Sequence, residues 1–468
     1  MKISIIKKIE SIIGKKNLLL TEEEKRKYLI EWRERYPGKA KGILKPKNVK
    51  EISSLMKIFY REKISIIPQG GNTGLVGGQI SYSEEHFILS LERMNKLINI
   101  NVLDQSITIQ SGMILSEIQR ICDEKNMLFP LSLASEGSCT IGGNIATNAG
   151  GVSVLYYGNT RDFTLGLQIV LADGTIIDSL KTLKKDNTGY SIKDLFIGSE
   201  GTLGIITAAS LKIFPKPKEK FTFFCSVKDP KKSIELLRFL QKNISTPLTA
   251  FEFMNNASIK LTLEGKDGSK LPIKKKSKWY ILFEFSKIEQ SKGLIDLIQT
   301  QIADAQNHNL INEVIFANSL NQSNFLWKIR DNISEAQKKY GSSIKNDFSV
   351  PIFSIHKFIE EADKIVNKIM PGAKNITFGH VGDGNIHYNI SQPKNLNSKQ
   401  FLSLEKKLRS QLLILVKKYN GSFSAEHGVG LIRKKDAIKL KKDEIKLMQK
   451  IKKAVDPEKI LNPGKIFD

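Results

Sequence analysis

Three sparsely charged, glycine-rich runs interrupt the first half of the chain, and they constrain its fold more than any other feature. They are IIPQGGNTGLVGG (66–78), ASEGSCTIGGNIATNAGG (134–151) and GSEGTLGIIT (198–207). Glycine packs no side chain and loses the most freedom on folding, so such runs make poor core. The first follows directly on an apolar strand. Gly70, Gly71 and Gly74 are expected to take positive φ and bring N–H groups towards an anion, with Asn72 and Thr73 adding side-chain donors. A glycine-rich turn is more often simply a turn. This one is no phosphate loop, since no Gly-Lys-Ser/Thr follows and its spacing does not match GxGxxG. The second run, rich in hydroxyl and amide side chains, suits a backbone lying against a large, flat, polar ligand. Three runs of one texture ahead of one linker imply a single extended cofactor.

Between the runs the pattern is mixed. A capping box, Thr21 to Glu24, opens an N-terminal helical region. KGILKPKNVKEISSLMKIFYREKISIIPQGGNTG predicts strand, helix and strand, with Val49, Ile52, Leu55, Met56 and Phe59 at helical spacing. HFILSL, SITIQSG, LGLQIVLADGTIID and LGIITAASLKIF read as further strands, with Asp173-Gly174 a hairpin turn. Pro215 to Lys218 is the clearest linker. Beyond it, FTFFCSV and KWYILFEFS alternate with helices such as KKSIELLRFLQKNI and KGLIDLIQTQIADAQ, which predicts an α+β domain with an antiparallel sheet. KDGSKLPIKKKSK reads as a solvated basic loop.

The 468 residues exceed what a single core accommodates, so two domains are expected. The net charge of +25 would suit a polyanionic partner, but lysine is spread along the whole chain and no nucleic-acid motif accompanies it. Nucleic-acid binding is not expected. Cys122, Cys139 and Cys225 form no CxxC pair and no disulfide framework. The N-terminus lacks the apolar core of a signal peptide and no run is long enough to span a bilayer, so a cytoplasmic protein, with peripheral membrane contact left open, is the expectation.

Three of the six histidines fall in two motifs. In FGHVGDGNIHYNI, Asp383-Gly384 reads as a two-residue hairpin turn, which would pair Gly382 with Asn385, Val381 with Ile386 and His380 with His387. Imidazoles opposed on one face can share a metal, though a pair of satisfied strand histidines is the blander reading. SAEHGVGLIRK places Glu426 and His427 in a glycine-rich turn after a short strand. A carboxylate can complete a two-His, one-carboxylate site, and a neighbouring histidine can serve as general base. Arg330 and Lys345, each more often a solvated residue in so lysine-rich a chain, could meet an anionic substrate.

Taken together, PQGGNTGLVGG, SCTIGGNIATNAGG, YGNTRD and GSEGTLGIIT resemble the FAD-binding domain of the vanillyl-alcohol oxidase (p-cresol methylhydroxylase) flavoprotein superfamily. With the histidine motifs the likeness extends over essentially the whole chain, and is greatest to the FAD-linked D-2-hydroxy-acid dehydrogenases. The resemblance implies an α+β protein, a two-part FAD-binding domain followed by an antiparallel-sheet substrate (cap) domain. Residues 1–218 would bind FAD, 219–423 would form the substrate and metal domain, and 424–468 would return to the flavin. Gly70 to Gly74, Ser138, Thr140, Gly142, Gly143 and Asn144 would cradle the pyrophosphate. Glu200, Gly201 and Ile206 would lie near the adenine end, and Asn462 would touch the flavin. The first run has no histidine to tether it, so the FAD is expected to be non-covalent.

The resemblance further implies a divalent metal, zinc by expectation, on His380, His387 and Glu426, with His427 as base. Asn389 would point at the substrate, and Arg330, Ser334 and Lys345 would clamp its carboxylate. The expected reaction is oxidation of a D-2-hydroxy acid. PQGGNTGLVGG and the H-x-N ending of the hairpin resemble the D-2-hydroxyglutarate branch more than the lactate or glycolate branches. The electron acceptor (an electron-transfer flavoprotein, a quinone or a cytochrome) and a homodimeric state are left open. A non-catalytic flavin- or nucleic-acid-binding protein is the rival from another class, and only the charge favours it.

Overall fold

The computed structural model describes the chain apart from residues 1, 2, 33, 35, 265–270, 275, 340 and 468. The basic loop expected over 266–278 lies partly outside the described residues. The chain forms two compact units, one of residues 1–150, 158–216 and 426–468, the other of 151–157 and 217–425. The short segment 151–157 thus groups with the second unit, which a single linker does not anticipate. Among the described residues no helix is long and apolar enough to cross a membrane.

The first unit holds two main sheets. In one, strands Gly42–Leu44 and Ile66–Gln69 both run parallel to Phe87–Ser90, which lies between them, and Leu18–Leu19 pairs antiparallel at the edge. The crossover is the helix Val49–Glu62, capped by the Asn48 side chain, which accepts from the N–H of Glu51. Its predicted stripe of Ile52, Leu55, Met56 and Phe59 is fully buried against Leu44, Ile66 and Phe87. The other sheet is antiparallel: Leu97–Asn101, Ser106–Gln110, Ile205–Lys212, Thr164–Val170 and Ile176–Ser179. Asp173-Gly174 makes the expected turn, with Gly174 at φ +87°. The C-terminal stretch joins this unit: the N–H of Ile66 donates to Ile460 and that of Asn462 to Ile66.

The second unit is built on one antiparallel sheet. Its order is Glu313–Phe316, Glu219–Val227, Trp279–Lys287, Leu248–Asn255, Lys374–His380, Asn385–Ser391 and Ser343–Ile344, with Asp347–Ser349 also pairing Asn385–Ser391. Phe224, Leu282, Met254 and Phe378 share one face with Glu252, as the registers require. Helix Leu320–Asp331, capped by Ser319, packs Leu326 and Ile329 onto that apolar face, and Ile333 of the following helix joins them. A charged residue at the end of such a helix is carried to the edge of the apolar patch, where Glu252 stands.

The histidine hairpin differs from expectation. Phe378, not His380, opposes His387, and four residues, Val381–Gly384, make the connection. The slip is two residues, and because side chains alternate with a period of two the histidines keep a common face. Their rings lie diagonally, 5.5 Å apart.

Candidate functional site

In the first unit one pocket gathers the three glycine-rich runs. Gly70 to Gly74, Thr140, Gly142, Gly143, Asn144, Glu200, Gly201 and Ile206 all line it, and so does His427. Ser138 lines an adjoining pocket with Gly70, Gly71, Asn72 and Thr140. Asn462 stands behind the wall: buried, its side-chain amide donates to the carbonyls of Glu200 (2.6 Å) and Gly78 (3.0 Å).

The glycines serve close approach and not the positive φ expected of them. In the first run positive φ falls on Asn72 (+58°) and Gly77 (+73°), not on Gly70, Gly71 or Gly74. A Cβ on Gly71 would lie 1.9 Å from the carbonyl oxygen of Ser138, and one on Gly70 2.3 Å from Thr140 Oγ1. The first two runs press backbone to backbone. The second is not all loop either, since Ile141–Thr147 is a short helix. Among the described residues the backbone N–H groups of Gly71 to Gly74 donate to no protein acceptor. The buried Asn72 Oδ1 and Thr140 Oγ1 also have no hydrogen-bond partner. An unpaired buried polar atom costs about 1–3 kcal/mol, so a wall carrying several suits a polar ligand with anionic oxygens.

Glu200 lines the pocket, and its carboxylate is engaged by the turn that follows His427. Its two carboxylate oxygens accept from the N–H groups of Val429 and Gly430, each at 2.7 Å. Burial pushes this carboxyl up to about 7, against the pull of those hydrogen bonds and of Lys465. Burial, with Lys434 nearby, brings the Lys465 ammonium down to about 8.

In the second unit the polar residues cluster at the edge of the apolar face. Glu252, fully buried, accepts from Arg330 Nε at 2.7 Å and lies 2.6 Å from His380 Nδ1. Burial opposes ionisation of this carboxyl, but the charges of His380 and Arg330 and their hydrogen bonds prevail and hold it below its usual range. An ionised carboxylate only accepts, so His380 donates through Nδ1, and in the neutral imidazole the lone pair sits on Nε2. The Arg330 guanidinium also lies over the Phe378 ring, at 4.9 Å. Beyond Glu252 it meets no acceptor among the described residues. Asp347 Oδ1 accepts from Asn385 at 2.8 Å and lies 3.6 Å from His387 Nδ1. Lys345 donates to Gln337 Oε1, as does Asn389 at 3.2 Å. Asn389 Oδ1 accepts from the N–H of Asn346. Ser334, half-buried, lies on the helix Ile333–Lys338, one turn beyond Arg330.

Glu252, Asp347 and Gln337 were not foreseen from sequence. Asp347 stands in the Lys345 motif and could have been suspected as an acid two residues from a proposed clamp. Glu252 and Gln337 carried no local signal.

Two family models together match most of the chain. Residues 40–179 match the model of an FAD binding domain, and residues 216–466 that of the C-terminal domain of FAD linked oxidases. A mitochondrial D-2-hydroxyglutarate dehydrogenase of Arabidopsis thaliana is 35% identical, over 98% of this chain and 80% of its own. A putative mitochondrial D-lactate dehydrogenase of Schizosaccharomyces pombe is also 35% identical, over 97% of this chain and 88% of its own. The crystal structure of p-cresol methylhydroxylase with substrate bound matches in fold, with a TM-score of 0.77 at 17% identity over 99% of this chain and 96% of that one.

Proposed function

The chain belongs to the family of FAD-linked oxidases, and from that premise we propose that it oxidises D-2-hydroxyglutarate to the 2-oxo acid, with a divalent metal aiding substrate binding and His427 as general base. Its class, an FAD-linked D-2-hydroxy-acid dehydrogenase, is that of its curated relatives. The observation that carries the substrate reading is Arg330, a buried guanidinium held by Nε while its two Nη groups meet no protein acceptor among the described residues. That fork matches a carboxylate bidentately.

Gly70 to Gly74, Thr140, Gly142, Gly143 and Asn144 would hold FAD, because the unpaired N–H groups of Gly71 to Gly74 and the unpaired Asn72, Thr140 and Asn144 side-chain oxygens suit a polar ligand, and a Cβ on Gly70, Gly71 or Gly142 would push apart the segments that form the wall. Bound flavin supplies the two-electron acceptor for oxidation at C2. Gly71→Ala should yield protein with little FAD and a lower melting temperature, because the new methyl meets a backbone carbonyl that cannot move aside. Full FAD content on acid precipitation of this variant would sink the cradle assignment.

His427 would accept the hydroxyl proton. Two imidazoles on one sheet face, 5.5 Å apart, and a carboxylate are donor types that hold a divalent metal, so His380, His387 and Glu426 would be its ligands. Chelation should abolish turnover yet leave flavin bound, since none of the residues proposed as metal ligands belongs to the glycine cradle. Activity unchanged after exhaustive chelation would remove the metal from the scheme. The deciding experiment is kcat/KM for D-2-hydroxyglutarate, D-lactate and L-2-hydroxyglutarate with an artificial electron acceptor. Preference for the D-dicarboxylate by about a hundredfold is expected, because a cation left without its anion costs a few kcal/mol. Equal use of D-lactate would place the protein with its D-lactate dehydrogenase relative.

A further inference from the structure

We infer that Glu200 is a positioning residue for His427, its buried carboxylate fixing the turn that carries the histidine on the wall of the flavin pocket. This rests on the proposed role of His427 and adds a residue to it.

The geometry is specific. The two oxygens of one carboxylate take the N–H groups of Val429 and Gly430, two and three residues past His427. Gly428, at φ +80°, lets the turn come this close: a Cβ there would lie 2.8 Å from Glu200 Oε1. Glu200 is itself anchored from behind. Its N–H donates to Ala146, its carbonyl accepts from Asn462, and its φ is +50°, a left-handed conformation rare for a side chain of this size. A strained residue held from three segments at a pocket wall persists when its placement is functional. The charged group acting on the carboxylate is Lys465 of the C-terminal tail, which itself feels Lys434, while His427 lines the same pocket. Ionised, the carboxylate accepts through both oxygens with full charge assistance; protonated, one oxygen carries an O–H and becomes a weaker acceptor. The grip therefore weakens as pH falls through about 7, where burial has raised this group.

The test uses purified holoenzyme and the substitution Glu200→Gln, which keeps the shape but turns an NH2 against one of the two backbone donors. Expected are a kcat for D-2-hydroxyglutarate at least about tenfold lower, KM within about threefold, FAD still stoichiometric, and a changed acid limb of the kcat–pH profile. Glu200→Asp, which keeps the charge, should recover part of the loss. In a His427→Asn background Glu200→Gln should cost little more, because the two act as a unit. Independent losses that multiply, or loss of FAD in Glu200→Gln, would overturn the inference. Amide hydrogen exchange separates this outcome from failure of the general-base reading. The 426–430 amides should exchange faster in Glu200→Gln, and unchanged protection there overturns the inference whatever His427 does. Faster exchange together with a fully active His427→Asn would instead remove the base and leave the clamp standing.

Discussion

Replacing Arg330 with alanine is expected to lower kcat/KM for D-2-hydroxyglutarate by about two to three orders of magnitude while leaving FAD bound. A charge-assisted, bidentate carboxylate contact in a buried site contributes about 3–4 kcal/mol, at about 1.4 kcal/mol per tenfold in rate. The same change leaves Glu252 buried with His380 as its remaining partner, which destabilises the fold by a further few kcal/mol, about 3–5 for a broken buried pair. Adding Glu252→Gln removes the uncompensated charge. The double variant should therefore regain melting temperature but not activity, which separates substrate binding from folding. Arg330→Lys should also fail, since one ammonium cannot hold Glu252 and a carboxylate fork together. A loss confined to the dicarboxylate would assign Arg330 to the distal carboxylate, and one shared with D-lactate to the carboxylate beside the hydroxyl. A loss below tenfold for both would dispose of the clamp.

The second large effect is expected at His427. Asparagine there keeps hydrogen bonding but cannot take the hydroxyl proton, and loss of a general base costs about 10²–10⁴ in rate. The rate of flavin reduction by substrate, measured anaerobically, should fall by that factor. KM and FAD content should change little, because the unpaired donors of the cradle belong to Gly71 to Gly74 and Thr140. A reduction rate within tenfold of the wild type would show that the proton leaves by another route.

Much of the fold was legible because its signals are local. The stripe from Val49 to Phe59 has helical period, the run around Asp173-Gly174 has a turn chemistry that admits few alternatives, and the strands of the second unit are β-branched or aromatic. The hairpin at Asp383-Gly384 shows where that logic ends. Its dipeptide favours a two-residue turn, but register in a multistranded sheet is set by both neighbours. Pairing of His380 with Glu252 on one side and of Asp347 with His387 on the other goes with a four-residue turn. A slip of two residues keeps both histidines on one face, because side chains alternate along a strand with a period of two.

By itself, the sequence determined the residue types and the segments: glycine-rich runs without a tethering histidine, histidines with a shared parity, and Arg330 and Lys345 in separate segments ahead of them. Tertiary structure alone decided what each polar group is bonded to. Whether a glycine is needed for its φ or for the backbone behind it depends on a partner run some 70 residues away, as with Gly71 and Ser138. Glu252 reads as an ordinary strand acid until a helix and a neighbouring strand bring Arg330 and His380 onto it, 78 and 128 residues further on. Glu200 likewise meets its donors across more than 200 residues. Periodicity and turn chemistry act over a few residues, whereas the burial and charge pairing that shift a carboxyl arise only when distant segments exclude water together.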